Sequence, residues 1–365
     1  MKILLLGEYS NVHWTLAQAL RRLGHDVCVA SNGDFWKNYP CDIDLDRKMD
    51  SRLGTIDFYR RLAFALARMR GYDVVQLINP MFFEVNPRKN LLAYKYLKRN
   101  NRKTFLGAFG MDFFWVDECR QQRPLRYSDF NFGDTLRTDE IAMREVDDWV
   151  GTDKETANRF IADNCNGIIA GLYEYYACYK RLYDKKLQFI PFPIDVDAIE
   201  RVAPPIDGPV RFFIGISRQR SKYKGTDIML AALEKLHSRY PDRCEIVKAV
   251  SVPFDQYQHM MDSSHVILDQ LYSYTPAMNA LLAMAKGLVV VGGGEEENYQ
   301  ILGEDSLRPI VNVLPDADNV YRKLEQLVVD PQRISTLSDQ SRTYVERYHN
   351  ADTVARKYLD FWTSK

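Results

Sequence analysis

KILLLGEYSNVHWTLAQALRRLGHDVCVAS, residues 2–31, decides the fold class. KILLLG (2–7) is an apolar run of strand length. Residues from about 11 to 23 place Leu16, Ala19, Leu20 and Leu23 at helical spacing, and Gly24 stands where a helix C-cap glycine belongs. HDVCVAS (25–31) follows as a second strand. Strand, helix and strand in this order make one βαβ unit of a parallel sheet.

The same alternation continues outward. A helix near 55–70 precedes the strand YDVVQLI (72–78), and LLAYKYLKRN (91–100) precedes KTFLGAFG (103–110). GIIAG (167–171) and QFIPFPID (188–195) are further strands. APPIDGP (203–209) is dense in Pro and Gly, and the pattern restarts after it. There VRFFIGIS (210–217) leads to a helix (225–240), then to CEIVKAV (244–250), HVILDQ (265–270), a helix (276–286) and LVVVGG (288–293); helices fill the chain from 316. The expectation is α/β: two Rossmann-like domains facing across a cleft. Residues 1–200 form the first, residues 201–348 the second, and a C-terminal helix (349–365) packs back on the first. Ligands of open parallel sheets sit at the carboxyl ends of strands, which places the chemistry in the loops after the strands.

Composition narrows the function. The 365 residues carry 49 basic and 49 acidic side chains and 46% hydrophobic residues. Balanced charge argues against a sequence-independent nucleic-acid binder, which needs excess Lys and Arg. No run approaches the roughly 20 apolar residues of a spanning helix, and MKILLLG is too short for a signal peptide. The six cysteines (28, 41, 119, 165, 178, 244) include no CxxC pair and read as reduced thiols of a cytoplasmic protein. A peripheral attachment to the inner face of the cell membrane would leave no obvious trace here.

Three segments of the second domain carry candidate chemistry. In SYTPAMNALLAMAKG (273–287) Thr275 is the expected N-cap and Pro276 the first helical residue. The helix would then aim its positive N-terminus over the sheet edge, a site for phosphate. GISRQRSKYKGTD (215–227) crowds Arg218, Arg220, Lys222 and Lys224 into one loop, and an anion would relieve their repulsion. VVVGGGEEENYQ (289–300) offers Gly293 and Gly294 for close backbone approach and Glu295, Glu296 and Glu297 as acceptors for sugar or ribose hydroxyls. Each segment also has a plain reading, as a capped core helix, a solvated basic loop and a helix start that favours acidic residues.

The first domain contributes Gly7, with His13 at the start of its first helix, and Asp112 after the strand at 103–110. GxGxxG is absent, which counts against a dinucleotide enzyme. CDIDLD (41–46) reads as a solvated acidic loop, because Arg47 replaces the glycine that a calcium loop requires. HExxH, GxSxG and P-loop patterns are absent. The Tyr-rich LYEYYACYKRLYD (172–184) is explained by helix packing.

Taken together, these elements resemble the GT-B glycosyltransferases, in particular the large retaining family 4 (glycosyl transferases group 1). The likeness covers nearly the whole chain. It rests on the opening strand–loop–helix ending in GHDV (24–27), on FPIDVDAI (192–199), on Arg218 or Arg220 with Lys224 and Gly225, and on LLAMAKG (281–287). One departure stands out: the family's two glutamates, eight positions apart, correspond here to Tyr274 and Leu282. Leucine cannot accept hydrogen bonds from a ribose, so Glu295 or Glu297 would take over. Phe109-Gly110 stands where the family commonly has His-Gly.

The resemblance implies transfer of a sugar from a nucleotide-diphosphate sugar to a hydroxyl of a glycan or lipid-linked acceptor in surface polysaccharide synthesis. Configuration would be retained, and no metal would be needed. His13, Asp112, Arg218 and Lys224 are the catalytic candidates. Gly7, Arg220, Tyr274, Thr275, Pro276, Asn279, Gly293, Gly294, Glu295 and Glu297 are the candidates for binding the nucleotide sugar. A nucleotide-sugar epimerase or phosphorylase of the same fold, a non-catalytic binding protein and a dehydrogenase are the rival readings.

Overall fold

A computed structural model of the chain describes residues 1–48, 51–202, 204–217 and 220–365; the side chains of Trp36 and Phe254 lie outside that description. The chain forms two compact units. The first comprises Met1–Gln122, Glu145–Asp195 and Ala351–Lys365, and the second Arg123–Arg144 and Val196–Asn350. Residues 123–144, which the sequence reading left in the first domain, therefore belong to the second unit.

The strands are β1 (Lys2–Leu6), β2 (Asp26–Ser31), β3 (Ile43–Asp44), β4 (Val74–Leu77), β5 (Lys103–Ala108), β6 (Asn131–Phe132), β7 (Thr135–Leu136), β8 (Gly167–Ala170), β9 (Leu187–Phe189), β10 (Val210–Ile216), β11 (Cys244–Val250), β12 (Val266–Leu268), β13 (Val289–Gly292) and β14 (Val311–Asn312). The first unit holds a parallel sheet in the order β3-β2-β1-β4-β5-β8-β9, and the second a parallel sheet in the order β11-β10-β12-β13-β14. Strands β6 and β7 pair antiparallel as a separate hairpin.

The helices are α1 (Val12–Arg22), α2 (Arg52–Arg68), α3 (Pro87–Asn100), α4 (Phe113–Gln121), α5 (Glu140–Trp149), α6 (Asp153–Asn164), α7 (Tyr173–Tyr183), α8 (Ser221–Lys224), α9 (Thr226–Arg239), α10 (Phe254–Asp262), α11 (Met278–Ala285), α12 (Glu296–Leu302), α13 (Ala317–Val329), α14 (Gln332–Tyr348) and α15 (Ala351–Ser364). None is long and apolar enough to cross a membrane among the described residues.

Both sheets follow from strands buried on two faces, which read as continuous apolar runs. Ile3, Leu4, Leu5 and Leu6 are fully buried, and Leu6 pairs with Ala30 on one side and Leu77 on the other. Helix α1 closes with the amide of Gly24 on the carbonyl of Arg21 and that of His25 on Leu20, the two bonds of a Schellman C-cap. Helix α15 joins the first unit through its aromatic face. The Phe361 ring lies 5.7 Å from that of Phe105, and the Trp362 indole N–H donates to Gln76 Oε1 at 3.2 Å. In the second unit Phe212, Ile214, Val266, Leu268, Val289 and Val291 build the core with Met229 and Leu233 of α9.

The helix expected over 225–240 is α9, and the short α8 precedes it, closed by Gly225 at φ 72°. One helix begins elsewhere than the sequence spacing suggests. The helix expected over 276–286 starts two residues later. Ala277, not Thr275, is its N-cap residue, in extended conformation. The cause lies upstream: Ser273 Oγ donates to the Thr275 carbonyl at 2.6 Å, and the Tyr274 carbonyl accepts from the Glu295 amide at 3.1 Å. These bonds hold residues 273–275 out of the helix, and a residue preceding proline disfavours helical φ/ψ in any case.

Candidate functional site

The carboxyl ends of β10, β12 and β13 bring three loops of the second unit together. Lys224 closes α8, and its carbonyl accepts from the Leu271 amide at 3.1 Å, tying the basic loop to the segment after β12. Asn279, in the first turn of α11, donates to Asp269 Oδ1 at 3.1 Å and accepts from the Tyr257 hydroxyl at 3.1 Å. Burial pushes the Asp269 carboxyl above its ordinary range, while the charge of Lys224 and the Asn279 amide pull it back. The open amides of the first turn of α11 add a partial positive charge at the same edge. Lysine, half-buried carboxylate, amide and helix end thus share one strand edge.

Not every cation of the basic loop is placed there. Arg220 is exposed, with its guanidinium 5.5 Å over the Tyr223 ring. Arg218 lies outside the described residues. Thr275 and Pro276 are buried in the loop leading to α11.

A second cluster gathers around Tyr274, Glu295 and Glu297, built by the hairpin segment. Arg126 donates from Nη2 to Glu295 Oε2 at 2.7 Å and grips Glu297 with both terminal nitrogens. The Tyr127 hydroxyl donates to Glu295 Oε1 at 2.5 Å, and Asn312 Nδ2 donates to the same oxygen at 2.9 Å. The Tyr274 hydroxyl accepts from the Arg126 amide at 2.7 Å. Its ring lies 4.8 Å from that of Tyr127 and 5.0 Å below the Arg126 guanidinium. Burial alone would raise the Glu297 carboxyl; the Arg126 guanidinium outweighs it and holds it below the usual range. Burial pushes the Tyr274 phenol up to about 12.

The hairpin is latched at two further points. Tyr223 donates its hydroxyl to Asp129 at 2.7 Å. Arg137 donates to the carbonyls of Lys222 and Tyr223 and lies 4.0 Å over the Tyr272 ring. The sequence expectation for Glu295 and Glu297 is therefore altered. Both carboxylates are already engaged by side chains of the same unit. Gly293 and Gly294 are spent on packing: a Cβ on Gly293 would lie 2.3 Å from the Ser273 carbonyl oxygen, and one on Gly294 2.8 Å from Ile310.

In the first unit the loop after β1 is tightly determined. Gly7 has φ 82°, and a Cβ there would lie 2.2 Å from Ile78 Cγ2, so only glycine fits. Its carbonyl bonds His13 Nδ1 at 2.8 Å, which places the ring proton on Nδ1 and leaves Nε2 as a bare acceptor. That Nε2 is buried and has no hydrogen-bond partner among the described residues. Burial lowers the imidazole to about 3, opposed by the bond to Gly7, so His13 is neutral. Glu8, absent from the sequence candidates, caps α1 by accepting from the amides of His13 at 3.2 Å and Trp14 at 2.8 Å.

Asp112 departs from its expected place at a cleft edge. It is fully buried and caps α4, accepting from the Trp115 amide at 2.8 Å and the Tyr179 hydroxyl at 2.8 Å. Burial pushes its carboxyl up to about 7 against those bonds. Asp42 and Asp44 of the acidic loop are tied to Arg21 and Lys48.

The residues missed in the sequence are Arg126, Tyr127, Tyr257, Asp269 and Asn312. Asp269 alone carried a signal, as a carboxylate at the end of an apolar strand.

No protein-family model matches the chain, and no curated protein matches it. Solved structures do. The chain superposes on sucrose-phosphate synthase from Thermosynechococcus elongatus with a TM-score of 0.63 and 15% identity, over 100% of this chain and 99% of that one. It superposes on HepE of Anabaena, solved in complex with UDP and glucose, with a TM-score of 0.61 and 12% identity over 100% of both. The lipopolysaccharide outer core galactosyltransferase WaaB gives 0.55 and 11%, over 100% and 99%. The fold of the chain is GT-B, the two-domain α/β architecture of these glycosyltransferases.

Proposed function

We propose that this GT-B chain is a glycosyltransferase that uses a nucleotide-diphosphate sugar as donor. One observation carries the reading: Lys224, the Asp269–Asn279–Tyr257 chain and the N-terminus of α11 meet at one strand edge of a unit whose fold is that of nucleotide-sugar enzymes. HepE was solved with UDP, so UDP is the first nucleotide to test. The donor's departing diphosphate gains negative charge as the sugar passes through an oxocarbenium-like transition state. Lys224 and the α11 amides would meet that charge without a metal, because preorganised cations and N–H donors stabilise it where it develops; Arg218 and Arg220 are proposed as further partners from the sequence alone, Arg220 once it leaves the Tyr223 ring. His13 Nε2 would accept a hydrogen bond from a sugar or acceptor hydroxyl. Retention of configuration, an acceptor hydroxyl on a glycan or a lipid-linked glycan, a place in surface polysaccharide synthesis and action at the cytoplasmic membrane face belong to the same proposal.

A second reading has its own support. Tyr274 and Leu282 replace the family's glutamates, and Arg126 occupies Glu295 and Glu297. A non-catalytic nucleotide- or glycan-binding protein would tolerate both.

Calorimetric titration with UDP, GDP, ADP, CMP and NAD, with and without chelator, tests the site, with Lys224→Ala alongside. Tight binding of one nucleoside diphosphate, weakened about tenfold by Lys224→Ala, supports the donor site. Consumption of the matching nucleotide sugar with an acceptor then separates enzyme from binder. Lys224→Ala binding as tightly as the parent would remove the lysine from the site.

A further inference from the structure

A cavity in the first unit is not used by the donor reading. In the first sheet the chain order reverses between β1 and β4, and ligands of open parallel sheets bind outside the strand ends at such a switch point. The cavity sits there, among Gly7 after β1, Asn32 after β2, Ile78 after β4, and the face of α2, and it opens to solvent. Its walls are apolar, formed by Leu45, Phe58, Leu62, Ile78, Phe82 and Phe83. Its acidic side chains are Glu8 and Glu84, and no lysine or arginine lines it among the described residues. Arg47, close by, rests its guanidinium 5.1 Å over the Phe58 ring.

These surfaces select by chemistry. Glu8 spends its oxygens on the α1 amides. Glu84 is half-buried and among the described residues receives one bond, from Asn32 Nδ2 at 2.7 Å, so it retains capacity for a ligand hydroxyl. An anion entering here would lose its hydration beside the Glu84 carboxylate, a heavy cost in an apolar setting. A neutral hydroxyl donor would not. The apolar walls are the part of a pocket that gains by covering a hydrocarbon or aromatic group.

We propose that this cavity binds a neutral glycoside through an apolar aglycone, with sugar hydroxyls at Glu84, and that it rejects phosphate-bearing amphiphiles. The proposal deepens the transferase reading by naming the acceptor class, and it rests on that reading only for the ligand's role as acceptor.

The test is calorimetric titration of the full chain, without nucleotide, by phenyl and methyl β-glycosides of glucose and galactose and by phenyl phosphate. A phenyl glycoside should bind at least about tenfold tighter than its methyl counterpart, and phenyl phosphate should not bind. Leu62→Arg, on a half-buried helix position, should abolish the phenyl preference while leaving the circular dichroism unchanged. Glu84→Gln keeps the acceptor for Asn32 and should admit phenyl phosphate; this arm decides if Leu62→Arg fails to fold. Equal affinity for phenyl and methyl glycosides, phenyl phosphate binding to the parent, or a folded Leu62→Arg that binds like the parent would each overturn the proposal. Nucleotide titrations in the same cell keep the readings separate. Phenyl glycoside binding without nucleotide binding sinks the donor site alone, and the reverse sinks the cavity alone.

Discussion

Tyr127→Phe probes the latch between the hairpin and the carboxylates of the second unit. The substitution removes one hydroxyl from a ring that is 3% exposed and keeps its packing against Tyr274. The lost bond runs at 2.5 Å to Glu295 Oε1, and a hydrogen bond to a charged group contributes roughly 1.5–3 kcal/mol. Glu295 keeps Arg126 and Asn312 as donors, so the low end, about 1.5 kcal/mol, applies. For a unit of this size that corresponds to a melting shift of about 3–6 °C. Differential scanning calorimetry without nucleotide is the assay, because a bound ligand would add its own stabilisation. Unfolding of a two-domain chain need not be two-state, so the transition weakened by Glu295→Gln identifies the second unit. The double variant should then show a coupling of about 1 kcal/mol between positions 127 and 295. A Tyr127→Phe melt within 1 °C of the parent, or strict additivity, would refute the latch. Glu295 would then be held by Arg126 and Asn312 alone.

Other outcomes follow from single residues. His13 should hold its proton on Nδ1 and stay neutral down to about pH 3, as read by nitrogen-15 NMR; protonation near pH 6.5 would contradict its burial. Asp112 titrates near 7 in the fold against 3.8 in the reference. The native state therefore keeps a proton that the unfolded chain releases. The associated stability is fully present below pH 4 and lost as pH rises to 7, by up to about 4 kcal/mol. Glu8, raised to about 7, adds the same sign, and His13 the opposite one. The informative quantity is thus the stability difference between parent and Asp112→Asn, which should change across that window and would be flat if Asp112 titrated normally. Gly7→Ala should destabilise the first unit by roughly 2–4 kcal/mol, from left-handed backbone and overpacking together; denaturant unfolding that matches the parent would show that the β1 loop can relax.

Much of this molecule is local in origin. Apolar runs of strand length, helical spacing between them and Gly24 at a helix end depend on neighbours a few residues apart, so the longer strands of both parallel sheets were legible, whereas the two-residue edge strands β3 and β14 were not. The capping at α11 was not. Thr275-Pro276 has the local chemistry of a helix start, and a hydrogen bond from Glu295, twenty-one positions beyond Tyr274, keeps that stretch extended. Asp112 has the residue type of a catalytic acid, and Tyr179 and the start of α4 turn it into a buried cap.

The largest gap concerns Arg126. Nothing within ten residues of it in the chain marks it, because its partners Glu295 and Glu297 lie 169 and 171 positions away. The sequence alone determined the longer strands and most of the helices that alternate with them, since hydrophobic periodicity is a property of short windows. Tertiary structure alone decided which charges on that edge are already matched. Ion pairing depends on distance in space, and the hairpin at 123–144 crosses into a unit to which its position in the chain does not assign it.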